Sequence, residues 1–411
     1  LAMAACDQEA PTEIGAGLLP PGAVRTFEVT LPPERYLVRD TAFGLYTDPR
    51  DVPFVVVARD FDGALTSHAL VRFSLPENLT VTDTAGSIRI DTVPNWFAGT
   101  IRMAVDSAFI PTQALQFAVY RTTEAWHESA TWSLRGDTAG VQTPWSVPGG
   151  APGALVARGT LAAGGDTLQI PVDSATIAAW GEIADGTRGA LIVLETPNAR
   201  IRTGLPTLHL EARPSLRPDT VYTAIAPAPQ HTYIFTPELA RSASDPRVGG
   251  TPGWRTIYQL RERLDTISFA CPGVPNCRVR LGQAHINSAS LVLQPVPTPL
   301  GFRPELNVTV AAYLLLPSPQ VPLPRSPIGD FVGFASVPAA SFVAPAGPAV
   351  EIAMTDLIRL ASLEPEVRGE QYLPTHFALL QSEPRTFGFG AFESMPPLRL
   401  VLSIARELQL P

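Results

Sequence analysis

Proline and glycine punctuate this chain so densely that it is restricted to folds assembled from short elements. There are 43 prolines and 31 glycines in 411 residues, and neither is gathered into a repeat, which excludes collagen. Between them lie apolar or alternating runs: Phe54–Ala58, Ala69–Leu75, Ser87–Asp91, Leu115–Tyr120, Leu168–Val172, Ala190–Leu194 and Thr207–Glu211. β-Branched and aromatic residues at a period of two suit half-buried strands. Many such strands at short spacing predict an all-β sandwich rather than a βαβ fold.

The pattern occurs twice. Leu115–Tyr120 corresponds to Leu306–Tyr313. The strand Leu168–Val172, followed by a short helix Ser174–Trp180, corresponds to Val350–Met354 followed by Asp356–Ser362. Gly189–Glu195 matches His376–Glu383, and Pro206–Leu210 matches Pro397–Val401. The order is the same in both halves although the identity is weak. Two tandem sandwiches, each with one short helix, are therefore expected over residues 34–213 and 231–411. The Pro-rich segment 214–230 is read as a stiff linker, and residues 1–33 as a leader remnant and tether.

Composition narrows the function. Hydrophobic residues make up 45% and charged residues 17%, enough for large cores and too apolar for a disordered chain. The net charge is −8 with no basic block, which argues against duplex nucleic acid as a partner. All 30 basic residues are arginine. The absence of lysine excludes Schiff-base chemistry, a lysine base and a phosphate loop ending in lysine. No Gly-x-Ser-x-Gly elbow occurs. The six histidines are scattered; only His127 lies close to carboxylates, Glu124 and Glu128, and that cluster reads as loop surface rather than a metal site. Asp48, Asp51, Asp60 and Asp62 have oxygen ligands suited to calcium but lack a calcium-loop spacing, so solvated loop charge is the expectation. Glu364 and Glu366 flank Pro365, a pattern that predicts an exposed turn rather than a catalytic pair. No catalytic residue, metal or cofactor is expected.

The three cysteines divide into two groups. Cys271 and Cys277 bracket a tight Pro-Gly loop. They suit a small disulfide ring in an oxidising compartment, worth about 2 kcal/mol; half a zinc site is the alternative, but no second ligand pair stands at suitable spacing. Cys6 follows Leu1-Ala2-Met3-Ala4-Ala5, a run that resembles the lipobox of bacterial lipoproteins, with Met3 where leucine is usual. Export to the periplasmic or cell-surface side of a bacterial membrane, with a lipid on Cys6, is the expectation. No stretch of about 20 apolar residues predicts a transmembrane helix.

The stretch Val119–Trp132, with Trp145 and Pro148-Gly149-Gly150 after it, resembles the DNRLRE-type domain of bacterial surface and secreted proteins. The likeness extends through Val172-Asp173, Trp180, Gly189 and Pro206. It implies a jelly-roll-like β-sandwich and, as in some members, carbohydrate binding; the second half lacks the tryptophan motif. An exported, β-rich, lysine-free chain is also similar to the extrinsic scaffold subunit of some bacterial photosynthetic reaction centre–antenna complexes, which implies a structural role.

Two sets of aromatics are candidates for contact with a ligand or partner. Trp126, Trp132 and Trp145 suit either core packing or a sugar-stacking platform. The even separation of Trp126 and Trp132 would place both on one face of a strand, which favours core. In the second half, Tyr313–Pro317, Phe331–Phe334 and the alternation Phe387, Phe389, Phe392 suit either strand core or a surface turned to a partner or membrane. The expected function is a non-enzymatic, membrane-anchored scaffold that docks onto other subunits of a membrane complex, with glycan binding through the first domain as the alternative.

Overall fold

The computed structural model describes residues 24–44, 46–138, 141–181, 189–251, 253–262, 264, 268–271, 278–363, 374–382 and 386–405. The fold is all-β, with two α-helices among the described residues, α1 (Ser174–Gly181) and α2 (Thr355–Ser362). Alternation in sequence becomes alternation in burial. In Thr167–Asp173, Leu168, Ile170 and Val172 face the core and their neighbours face water. In Phe54–Phe61 the run Phe54–Ala58 is buried throughout, as a continuous apolar run requires.

In the first sandwich, one sheet sets Pro152–Leu161, Leu115–Thr122, Ala190–Leu194 and Leu65–Arg72 side by side, with Gln230–Thr236 added along Leu65–Arg72. The facing sheet runs Thr167–Asp173, Trp96–Ala104, Thr207–Ala212, Tyr222–Pro227. The second sandwich repeats this order. Ile328–Val337, Val308–Leu315, His376–Gln381, Arg255–Leu260 and Leu37–Phe43 form one sheet; Val350–Ala353, His285–Leu293, Leu398–Ala405 and Val24–Leu31 form the other. Every pairing in these sheets is antiparallel. α1 and α2 occupy equivalent places, each just after the edge strand of the smaller sheet. The duplicated segments of the sequence are thus structurally equivalent strands.

Several strands lie outside the boundaries read from the sequence. Val24–Leu31, inside the segment expected to be a tether, pairs in register with the last strand, from Val24↔Ala405 to Leu31↔Leu398. Leu37–Phe43, assigned to the first sandwich, pairs with Arg255–Leu260 of the second. Tyr222–Pro227, inside the expected linker, pairs with Thr207–Ala212, and Gln230–Thr236, assigned from residue 231 on to the second sandwich, pairs with Leu65–Arg72 of the first, so both strands complete the first sandwich. Proline density marks turns, but the partner of a strand is set by which sheet edge lies open to it.

The two sandwiches share apolar core. Tyr233 and Phe235 of the first meet Phe302 and Phe387 of the second, with ring centroids 5.5–6.0 Å apart for Phe235–Phe387, Phe235–Phe302 and Tyr233–Phe387. Phe389 joins Phe302 at 6.1 Å and Trp254 at 6.0 Å. Gly388 allows this: a Cβ there would lie 2.1 Å from the carbonyl oxygen of Arg303, so only glycine lets the two backbones meet. Phe392 packs edge-on to Phe342 within the second core. Phe387, Phe389 and Phe392 are fully buried, which removes them as a surface for a partner and leaves the core alternative: Phe387 and Phe389 pack between the sandwiches and Phe392 inside the second.

Replacing Phe387 with alanine should lower unfolding free energy by about 3–5 kcal/mol, because a buried ring touching both halves leaves a cavity that neither can close alone. Urea titration followed by circular dichroism measures this directly.

Candidate functional site

The connection from Leu115–Thr122 to Pro152–Leu161 is long in the first sandwich and carries its own hairpin, Leu134–Thr138 with Val141–Pro144. Its equivalent in the second is the shorter Pro-rich stretch 316–327. Trp126 and Trp145 anchor the long connection, with 4% and 5% exposure. Together with Leu70, Ala130, Ala151, Leu191 and Ile234 they form a satellite core. The Trp145 indole donates to the Thr131 carbonyl at 3.0 Å. The Arg72 guanidinium lies 4.4 Å from the centre of the Trp126 ring and donates to its carbonyl at 2.7 Å. Residues 123–133 are not a strand. The shared-face argument for Trp126 and Trp132 therefore has no geometric basis, although Trp126 is core.

Trp132 is half-buried and packs against the margin of that core. It packs on His68, with ring centroids 4.8 Å apart, and on Gly149, where a Cβ would come within 2.9 Å of the indole. Gly149 also has φ +92°, so two constraints select glycine. His68 Nδ1 bonds to the Gly149 carbonyl at 2.8 Å. Burial lowers the pKa of His68, and the Gly149 hydrogen bond only partly opposes this.

Beside Trp132 lies an open cleft of about 550 Å³, within the range of small-ligand sites. Three separate segments line it: Thr47–Pro49, the long connection through Trp132, Asp137 and Gln142, and the chain after Tyr233 through Glu238 and Arg241. Arg241 Nη2 meets Asp137 Oδ2 at 2.6 Å, tying the hairpin to the segment that leads into the second sandwich. Glu238 accepts the Ser133 amide at 2.7 Å. Asp48 accepts the Arg50 amide at 3.2 Å, and burial raises its pKa more than that bond lowers it. The floor is closed by Tyr233, whose hydroxyl lies 2.7 Å from that of Thr251. An indole, carboxylates, an amide and hydroxyls lining one concavity suit a polar ligand with a flat apolar face.

The other ionisable groups are tied up by arginines and hydroxyls: Asp48 and Asp51 both face Arg50, at 3.3 and 3.9 Å. Glu124 accepts Ser146 and faces Arg135 at 3.7 Å, His127 bonds Ser129 at 2.8 Å, and Glu128 lies 4.0 Å from Arg50. Asp60 bonds Thr66, while the Asp62 amide donates to Asn198. Among the described residues no group of three histidine, cysteine or acidic side chains is placed to hold a metal. Cys271 is buried and disulfide-bonded; Cys277 and Cys6 lie outside the described residues, as do Glu364 and Glu366.

A second surface lies on the other sandwich. Phe331 and Phe334, on the edge strand Ile328–Val337, are 54% and 62% exposed, the most exposed phenylalanines among the described residues. Tyr313 meets Phe331 at 5.5 Å and Phe331 meets Phe334 at 6.2 Å, with Leu316 and Ile328 also exposed in this region. Of the apolar surface expected in the second half, this part is in water and the Phe387–Phe392 part is not. Of the residues that the sequence reading did not single out, Gln142 reaches the cleft on the local hairpin, while His68, Glu238 and Arg241 are brought to this region by pairing of strands far apart in the chain, and no local motif marks them.

The sequence matches no protein-family model and no curated protein. Among the described residues no helix is long and apolar enough to cross a membrane.

His68 generates a pH dependence. An unfolded histidine titrates near about 6.5, and burial holds the folded value lower. Between the two values the unfolded chain carries a proton that the native chain lacks, so stability falls as pH drops below the unfolded value. His209 and His376 shift the same way. The His68 share is therefore read as the loss of slope in a His68→Phe variant, by denaturant midpoints between pH 7.5 and 5. An unchanged slope would remove His68 from the account.

Proposed function

We propose that this chain is a non-enzymatic, extracytoplasmic subunit that docks other proteins of a membrane complex, held to the membrane by a lipid on Cys6. The observation that carries this reading is the exposed aromatic strip of Tyr313, Phe331 and Phe334. Exposed aromatic clusters mark protein contacts, because burying them against a partner removes large apolar area from water with little loss of side-chain freedom. The strip sits on a stiff support. The two sandwiches share a core, so a partner bound at Phe331 would be held at a fixed position relative to the first sandwich.

The double variant Phe331→Ser, Phe334→Ser should leave stability within about 1 kcal/mol of the parent, since exposed positions contribute little to folding. It should be recovered from gently solubilised membranes without the proteins that accompany the parent chain. Recovery of the parent itself as a free monomer would overturn the docking reading.

The cleft beside Trp132 favours a second reading, carbohydrate binding by the first sandwich. The indole offers a flat apolar surface, and Asp137, Gln142, Glu238 and Arg241 offer hydrogen bonds around it. Trp132→Ala should abolish retardation in polysaccharide-containing native gels while the circular dichroism spectrum is kept. Trp145→Ala removes a buried ring and its bond to Thr131 and should destabilise the fold instead. Equal retardation of the parent and Trp132→Ala would dismiss the glycan.

A further inference from the structure

The two sandwiches are equivalent strand for strand but are completed from different places in the sequence. In the first, Thr207–Ala212 is followed by Tyr222–Pro227, which pairs beside it, and by Gln230–Thr236, which crosses to the other sheet and pairs with Leu65–Arg72. In the second, the equivalent of Thr207–Ala212 is Leu398–Ala405. The two strands that complete it are Val24–Leu31 and Leu37–Phe43, which precede the whole first sandwich.

We infer that the second sandwich is an acceptor for a strand pair, and that the segment Val24–Phe43 is its ligand. Two sheet edges would otherwise lie open, along Leu398–Ala405 and along Arg255–Leu260. An extended segment adding to both supplies backbone hydrogen bonds for affinity and alternate side chains for specificity. The side chains are of the right kind. Phe27 and Leu31 are buried from the first strand, Tyr36 and Leu37 from the bend and the start of the second. The Tyr36 hydroxyl donates to the Pro396 carbonyl, and Asp40 accepts the Met395 amide at 2.6 Å. Glu28 and Arg399 pair at 2.7 Å across the outer face. Arg261 grips the bend from the acceptor side, its amide donating to the Tyr36 carbonyl and its Nε to that of Glu34. Covalent continuity with the first sandwich at Gly44 enters none of these contacts, so the segment carries its own recognition.

The test begins with the whole folded chain, with a protease site inserted between Gly44 and Asp48. After cleavage in native buffer, the arm should co-elute with the remainder on size exclusion. In native buffer, excess labelled Val24–Phe43 peptide should exchange one to one for the cleaved arm. A Leu37→Ala peptide should bind roughly 10–100-fold more weakly, as expected for losing one buried leucine. A rearranged full-length chain, with residues 24–46 moved to follow residue 411, should unfold at the parent's denaturant midpoint. Loss of the arm on cleavage in native buffer, or equal binding of the parent and Leu37→Ala peptides, would overturn the inference.

Discussion

The contact between Tyr233 and Phe235 of one sandwich and Phe302, Phe387 and Phe389 of the other is the constraint that organises the molecule. Each aromatic pair contributes about 0.5–1.5 kcal/mol beyond the area it buries. The cluster also fixes how one sandwich meets the other. Its edge is polar. Glu305, buried, accepts the amides of Phe387 and Gly388 at 3.1 and 3.2 Å, and Arg200 from the first sandwich lies 3.9 Å from its other oxygen. Arg200 also donates to the Gly301 carbonyl at 3.2 Å, so a charge from one half satisfies backbone of the other. Burial lowers the pKa of Arg200 and Glu305 opposes that shift. A buried pair of this kind is weak support for stability as a whole but costly to break on one side.

Arginine as the sole basic residue has a visible structural counterpart. Guanidinium groups lie over aromatic rings at Arg72–Trp126, Arg202–Phe54, Arg247–Trp254 and Arg255–Tyr46, with separations of 3.9–4.9 Å. A planar, weakly hydrated cation packs there where an ammonium would retain water. The side chains thus serve as covers for rings at the margins of the cores, which fits a rigid assembly better than a deformable one.

The sheets were legible in the sequence because burial on one side of a strand imposes a period of two, and runs such as Leu168–Val172 keep it without interruption. The duplication was legible for the same reason: equivalent strands face equivalent cores. Connectivity was not. Thr26–Leu31 alternates as a strand should, yet its neighbour lies at the far end of the chain, and no local pattern specifies an edge so distant. The satellite core was half legible: Trp126 and Trp145 are core, but they are held by a loop instead of a strand face. The cleft was hidden for the same physical reason as the connectivity. Trp132 shares a cleft with Glu238 and Arg241 only because Gln230–Thr236 folds back along Leu65–Arg72, and most strands of the first sandwich lie between them in the chain.

The long connection 123–151 has only a short Pro-rich counterpart in the other copy. The two frames are equivalent and differ at the rim: one carries a hairpin on a tryptophan footing and a concavity, while the other has a short connection beside a bare aromatic edge strand. The difference lies at the ends of the frame, where extra residues disturb no ladder of hydrogen bonds. Two different surfaces are consequently carried at a fixed separation by one inflexible body, an arrangement that a single sandwich of the same design has no room to provide.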